Sequence, residues 1–228
     1  MRSVYWNLIR GGNILVGAST VYVGALMVRT NFSYIDWLLI TLHAFCVATF
    51  MAAWNVFNDV QDAEIDAINH PNRPIPSGQI NEIQAKAVGR AMFLLSILFL
   101  LSAMWVAAMI SDHLVSWLPS VAIWFIAFLL MFHYEMVIPE SFMLKHKGLI
   151  GNMAVSILVG IVIVFGAAAI GGWKNPLAWL VGAVAMFVNA AREIIKDIED
   201  EQGDSDRNTL TKKIGPEASR GMAQILIL

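Results

Sequence analysis

Six long apolar runs constrain this sequence more than any other feature. Crossing the hydrocarbon core of a bilayer takes about 20 apolar residues, and a chain in that core must satisfy its own backbone hydrogen bonds, which favours α-helices. Runs of this kind occupy residues 12–29, 37–57, 87–110, 114–134, 149–171 and 176–195. A further apolar stretch starts at Met222 and continues to Leu228. The pattern predicts an all-α, polytopic membrane bundle with six full spans and the start of a seventh.

Composition supports a membrane protein and excludes several other classes. Hydrophobic residues make up 58% of the chain and charged residues 14%, which is less charge than a soluble domain of this length carries. The net charge of −2 comes with no basic domain, so no nucleic acid partner is expected. Cys46 is the single cysteine and lies in an apolar run, which excludes a disulfide framework.

The distribution of lysine and arginine predicts the orientation in the membrane. With a cytoplasmic N-terminus, thirteen of the fifteen Lys and Arg residues fall on the cytoplasmic side, and Arg29 and Lys174 fall outside. An excess of Lys and Arg is typical of cytoplasmic loops. We therefore expect a multi-pass protein of the plasma membrane, with the N-terminus and the connections after spans two, four and six in the cytoplasm.

The segment at residues 55–78, NVFNDVQDAEIDAINHPNRPIPSG, places acidic side chains directly after a strongly apolar run. On one continuous helix, five oxygen-bearing side chains fall within an arc of roughly 100°. They are Asn55, Asn58, Asp59, Asp62 and Asp66. Three prolines then end the helix, and Arg73 lies among them. Carboxylates this close repel one another unless a cation lies among them, so a hard divalent cation bound by oxygen ligands is expected.

A second acidic segment follows the sixth apolar run, at residues 192–210. Glu193, Asp197, Asp200 and Asp204 share an arc of about 60° on one helix face. The three aspartates repeat the 3-then-4 spacing of the aspartates in the first segment. Both segments follow an even-numbered span and so are expected on the same, cytoplasmic face. We interpret them as an internal repeat of helical units, each carrying one acidic segment.

The two acidic segments hold 11 of the 17 acidic residues, and together they favour a particular ligand. Mg²⁺ binds one or two carboxylates together with phosphate oxygens and water, so the pair suggests a diphosphate as the remaining ligand. Basic residues expected near the same face suit such a polyanion. They are Arg10, Arg73, Lys145, Lys147, Arg192 and Lys196. A divalent-cation transporter is the alternative of another class, but its acidic residues would lie at mid-depth in several spans.

The acidic motifs resemble the signatures of a known family. Asn58-Asp59-x-x-Asp62-x-x-x-Asp66, followed by NRPIPSG, resembles the first signature of the UbiA superfamily of intramembrane prenyltransferases. The spaced aspartates from Asp197 onward resemble its second signature, and an Arg-x-x-Asn pattern at the start of span one also matches. Within the superfamily, REIIKDIEDEQGD and LKHKGLIGN are most similar to the archaeal digeranylgeranylglyceryl phosphate synthases.

The resemblance implies one intramembrane prenyltransferase domain over residues 1–228, without the last three of the family's nine helices. It also implies Mg²⁺-dependent transfer of a geranylgeranyl group from its diphosphate to the hydroxyl of geranylgeranylglyceryl phosphate. This reaction forms the second ether bond of archaeal membrane lipids, so the partners would be an isoprenyl diphosphate and a lipid-phosphate acceptor in the membrane. Prenylation of an aromatic acceptor, as in quinone or chlorophyll pathways, and a non-catalytic truncated homologue are the alternatives.

The resemblance also assigns roles to residues of this sequence. The expected Mg²⁺ ligands are Asn58, Asp59, Asp62, Asp66, Asp197, Asp200 and Asp204. The expected catalytic residues are Asp62, Asp66, Asp197 and Asp200. The expected substrate-binding residues are Arg10, Asn13, Asn55, Arg73, Lys145 and Lys196. In the second motif, both an Asp197/Asp200 and an Asp200/Asp204 pairing stay open.

Overall fold

The computed structural model describes residues 3–111, 117–199 and 209–228, and no strand occurs in these ranges. The helices are α1 (Val4–Leu8), α2 (Gly11–Leu26), α3 (Tyr34–Gln61), α4 (Ala63–Asn69), α5 (Glu82–Ile110), α6 (Leu118–Glu135), α7 (Leu149–Ala168), α8 (Pro176–Glu199), α9 (Leu210–Ile214) and α10 (Pro216–Ile227). A 3₁₀ turn at Leu144–His146 lies between α6 and α7. The prediction of an all-α membrane fold is confirmed.

Each of the six predicted spans overlaps a helix, and residues 114–116 of the fourth predicted span lie outside the described residues. Five of these, α3 and α5 to α8, are long and apolar enough to cross a membrane. The other one, α2, has 16 residues and a length of about 24 Å at 1.5 Å per residue. The predicted seventh run lies within α10, which starts at Pro216 rather than at Met222. Pro at the first helical position and Gly215 at φ 83° explain this earlier start.

Two helices extend beyond the apolar runs because capping residues start them earlier. Ser33 and Asp36 form a reciprocal capping box at the start of α3, and Asn81 and Gln84 form another at the start of α5. Each box satisfies two backbone N–H groups that a helix start leaves without an intrahelical partner. The polar residues that flank a span therefore belong to the same helix as the apolar run.

One compact unit comprises Met1–Phe125 and Ile161–Leu180. Its apolar core is built from α2, α3, α5 and parts of α6 and α7. Ile40 is fully buried in this core, and Val164 is almost fully buried. Gly24 and Gly166 bring α2 and α7 into backbone contact, since a Cβ on either would lie within 2.0 Å of a carbonyl oxygen of the other helix. Small residues at such crossings allow close packing of membrane helices.

A second compact unit comprises Ile126–Gly160 and Val181–Leu228. It contains the C-terminal part of α6, the 3₁₀ turn, the N-terminal part of α7, the C-terminal part of α8, and α9 and α10. Ala191, Ile194, Leu210 and Ala223 form its buried apolar cluster. This cluster fixes α9 and α10 against the end of α8.

Candidate functional site

The first acidic motif, residues 58–66, spans a break between two helices. The sequence predicts one continuous helix here, and this prediction is wrong: α3 ends at Gln61, Asp62 has φ −93° and ψ 9°, and α4 starts at Ala63. Aspartate disfavours helix interiors because its side chain competes for nearby backbone groups. The i to i−4 hydrogen bonds nevertheless continue through the break, from Asp62 N to Asn58 O (2.9 Å) and from Asp66 N to Asp62 O (2.7 Å). The acidic side chains therefore remain neighbours.

A small apolar cluster holds the elements around the first acidic motif together. Leu8 of α1, Val56 of α3, Ile80 of the loop and Ala85 of α5 are buried against one another. Asn55, a predicted substrate-binding residue, donates from Nδ2 to the carbonyl oxygen of Ile9, at 2.8 Å. This bond satisfies a backbone group at the end of α1. Asn55 thus anchors the N-terminal turn to α3.

Arg10 lies in that N-terminal turn and reaches the first acidic motif. Its Nη2 donates to Asn58 Oδ1 at 2.9 Å and to Asp59 Oδ1 at 2.5 Å. Arg10 has a left-handed backbone, with φ 56° and ψ 54°, at the junction between α1 and α2, a conformation that is uncommon outside glycine. The side chain of Asp59 is only 2% exposed. Arg10 therefore neutralises a carboxylate that has almost no access to solvent.

Arg73 provides a second positive charge to the same motif. Its Nη1 donates to Asp66 Oδ2 and lies 3.6 Å from Asp59 Oδ1. The loop that carries Arg73 is held by backbone hydrogen bonds, including one from Arg73 N to His70 O at 2.9 Å. The sequence argument expects a divalent cation among these carboxylates; in the structure the guanidinium groups of Arg10 and Arg73 lie beside them. Removing one partner from a buried ion pair costs about 3–5 kcal/mol, so these pairs strongly constrain the motif.

Asn58 links the arginine pairs to Asp62. Its Nδ2 donates to Asp62 Oδ2 at 3.2 Å, while its Oδ1 accepts the bond from Arg10. All four predicted ligands of the first motif thus belong to one network of hydrogen bonds and ion pairs with Arg10 and Arg73. The predicted substrate-binding residue Asn13 lies exposed in the first turn of α2.

In the second acidic motif, residues 197–204, Asp197 is the only predicted metal ligand among the described residues. Asp200 and Asp204 lie outside the described residues. Oδ2 of Asp197 accepts a hydrogen bond from Nδ2 of Asn152, at 2.8 Å. Sequence reasoning missed Asn152, although a polar amide in an apolar span was a usable signal. The predicted substrate-binding residue Lys196 is exposed.

Lys145, another predicted substrate-binding residue, forms a buried ion pair in the second unit. Its Nζ lies 2.9 Å from Glu135 Oε1, and the two side chains are only 6% and 1% exposed. Glu135 ends α6, and Lys145 is in the 3₁₀ turn that follows. Sequence reasoning also missed Glu135, whose signal was a carboxylate directly after an apolar run. The pair fixes the 3₁₀ turn to the end of α6.

The donor chemistry of both motifs suits a hard cation. Carboxylate and amide oxygens are the ligands that Mg²⁺ and Ca²⁺ prefer. Within the described ranges, no group of three His, Cys, Asp or Glu side chains is arranged to hold a metal ion. Mg²⁺ in phosphate-transfer sites takes one or two carboxylates and completes its shell with phosphate oxygens and water.

Relatives of this chain include proteins described as digeranylgeranylglyceryl phosphate synthases. One from Methanobrevibacter smithii is 32% identical over 227 residues, which cover 98% of this chain and 74% of the relative. Another from Methanothermobacter thermautotrophicus is 35% identical over 211 residues, which cover 92% of this chain and 66% of the relative. The chain therefore spans about two thirds to three quarters of the length of these relatives.

Solved structures show the same fold. A digeranylgeranylglyceryl phosphate synthase structure matches with a TM-score of 0.71 and 27% identity, covering 98% of this chain and 72% of that one. A UbiA homologue from Archaeoglobus fulgidus bound to GPP and Mg²⁺ matches with a TM-score of 0.64 and 19% identity, covering 98% and 74%. The model of the UbiA prenyltransferase family matches residues 18–228. This chain is therefore a multi-pass membrane protein that belongs to the UbiA prenyltransferase family.

Proposed function

We propose that this protein transfers a geranylgeranyl group from geranylgeranyl diphosphate to the free hydroxyl of geranylgeranylglyceryl phosphate. The bond between the allylic carbon and the diphosphate oxygen breaks, the diphosphate leaves with the electron pair, and the acceptor hydroxyl forms the new ether bond and loses its proton. The observation that carries the proposal is the similarity to synthases of this name, at 32% identity over 98% of this chain. The Arg–Asp network supports it, since its guanidinium groups suit a diphosphate and its carboxylates suit a divalent cation.

We propose that both acidic motifs contribute ligands to Mg²⁺. In the first motif, Asn58 and Asp62 supply an amide and a carboxylate, and in the second motif Asp197, Asp200 and Asp204 supply carboxylates. When bound, Mg²⁺ acts as a Lewis acid that stabilises the negative charge growing on the leaving diphosphate. Asp59 and Asp66 belong to the same proposed set, and their arginine pairs indicate a further role in holding Arg10 and Arg73.

Arg10 and Arg73 are the proposed diphosphate-binding side chains of the first unit. Their side chains are 30% and 28% exposed, whereas the carboxylates that they contact are almost fully buried. A guanidinium group has five N–H donors, so each arginine has donors beyond those used for the aspartates. The carboxylates therefore orient two cations, whose remaining N–H groups bind phosphate oxygens.

We also propose that the N-terminus and both acidic motifs face the cytoplasm. The proposed cytoplasmic segments contain thirteen lysines and arginines, whereas the proposed outside segments contain two, which supports this orientation. Modification of single cysteines placed near the N-terminus and in the loop at Lys174 by a membrane-impermeant reagent tests it. In intact cells the reagent should label the cysteine near Lys174 and leave the N-terminal one unlabelled; the reverse pattern would overturn the orientation.

The reaction is tested with the protein in lipid, supplied with geranylgeranyl diphosphate and geranylgeranylglyceryl phosphate. We expect a diether product in the mass spectrum that requires Mg²⁺ and disappears in Asp62→Ala, while the helical content of the variant is unchanged. Diphosphate release with an aromatic acceptor alone would move the proposal to another substrate. Absence of turnover with every acceptor, together with Mg²⁺ flux into proteoliposomes, would overturn it in favour of a transporter.

A further inference from the structure

Polar side chains, of which Asn152 and Ser156 are buried, link α7 and α8 in the second unit. Nδ2 of Asn152 donates to Asp197 Oδ2 at 2.8 Å, and Oγ of Ser156 donates to the carbonyl oxygen of Asn152 at 2.6 Å. Nδ2 of Asn189 then donates to Ser156 Oγ at 3.2 Å. Ser156 is fully buried, and Asn152 is 8% exposed. The two helices are thus joined by a continuous polar path whose end is the first aspartate of the second acidic motif.

Close backbone contacts fix the position of Asn152 within this path. A Cβ on Gly160 would lie 2.5 Å from the carbonyl oxygen of Gly182, so α7 and α8 touch about two turns from Asn152. A Cβ on Gly151 would lie 2.5 Å from the carbonyl oxygen of Leu144, so the start of α7 also touches the 3₁₀ turn. With backbone contacts at both places, the amide of Asn152 is held at a fixed distance from α8.

In the first acidic motif, a side-chain amide also donates a hydrogen bond to an aspartate, but the amide comes from the same segment of the chain. There, Asn58 donates from Nδ2 to Oδ2 of Asp62, four residues later on the chain. The residue four positions before Asp197 is Glu193, which pairs with Arg192 at 2.5 Å. A carboxylate cannot donate an amide hydrogen bond. In the second motif the amide therefore comes from the neighbouring helix, through Asn152.

We propose that Asn152 is a positioning residue of the second acidic motif. Its N–H group holds one carboxylate oxygen of Asp197 and prevents the carboxylate from rotating, so that the group is oriented before the cation binds. Partners that orient metal ligands in this way typically change metal affinity 10- to 100-fold when they are removed. The proposal deepens the proposed function and rests on it, because it concerns Asp197, a proposed Mg²⁺ ligand.

The test measures metal binding rather than turnover. Mn²⁺, as a paramagnetic substitute for Mg²⁺, is titrated into the protein in lipid nanodiscs with an unreactive allylic diphosphate analogue, and free Mn²⁺ is followed by electron paramagnetic resonance. Asn152→Leu keeps the branched shape of the side chain and removes the donor, so we expect Mn²⁺ affinity to fall at least tenfold. Asn152→Ser is a second, milder variant that is too short to reach Asp197, and the same loss is expected.

Asn189→Leu is the matched control, because it removes the same type of amide from the other end of the path without touching Asp197. We expect its Mn²⁺ affinity to fall much less than that of Asn152→Leu, since Asn189 contacts Ser156 rather than a carboxylate of the motif. The inference is overturned if the Asn152 variants keep wild-type affinity, or if Asn189→Leu loses as much. A wild-type protein that binds no Mn²⁺ would overturn the proposed metal site itself, and the inference with it.

Discussion

Replacing Arg73 by methionine tests whether the ion pairs of the first acidic motif stabilise the fold. The variant removes the guanidinium that binds Asp66 and lies near Asp59, whose side chains are 5% and 2% exposed. Breaking a buried pair costs about 3–5 kcal/mol. The lower value applies here, because Asp59 keeps Arg10 and the side chain of Arg73 is 28% exposed. We therefore expect a loss of about 3 kcal/mol in the free energy of unfolding.

The free energy of unfolding is measured by SDS titration in mixed micelles, followed by far-UV circular dichroism. Lys86→Met is the control, because Lys86 forms an exposed ion pair with Glu82, whose side chains are 44% and 53% exposed. Its expected cost is below about 0.5 kcal/mol. The double variant Arg73→Met with Asp66→Asn removes the buried charge together with its partner, so it should recover about half of the loss. A cost below about 1 kcal/mol for Arg73→Met, or no recovery in the double variant, would refute the reasoning.

Three further predictions follow from the same structure. Gly11→Ala should destabilise the protein by about 1–3 kcal/mol, because its Cβ would lie 2.3 Å from the Trp6 ring, whereas nothing lies within 4 Å of a Cβ on Gly12. Gly12→Ala should therefore be neutral or stabilise the protein by up to about 1 kcal/mol. Thermal unfolding of the two variants measures the difference, and equal melting temperatures would contradict the close contact between Gly11 and Trp6. Glu135→Gln should cost about 3 kcal/mol, because it removes the negative charge that pairs with the buried Lys145. An unchanged SDS concentration at the unfolding midpoint would show that this pair does not stabilise the protein. Removing divalent ions with EDTA should abolish prenyl transfer, and Mg²⁺ should restore it; transfer that persists in EDTA would exclude the metal role.

Hydropathy located the membrane helices because each crossing of the hydrocarbon core needs about 20 apolar residues in one continuous segment. This requirement can be read from each segment by itself. The capping residues Ser33 and Asn81 could have been used to extend the predicted starts of α3 and α5. The break at Asp62 could have been predicted, because aspartate disfavours helix interiors. The helical spacing of the acidic residues led instead to the prediction of one continuous helix. The single-domain organisation, the internal repeat and the assigned site roles stay predictions.

The partners of the charged residues could not be predicted, because they come from distant parts of the chain. Arg10 contacts Asp59, which is 49 residues away, and Asn152 contacts Asp197, which is 45 residues away. Side-chain spacing along one helix contains no information on which other helix packs beside it. The sequence by itself determined the membrane class, the helices and the two acidic motifs, since these depend on local composition and spacing. Only the tertiary structure decided which cation or amide contacts each of the described carboxylates. A buried charge must be paired, and helix packing determines which partner lies within reach.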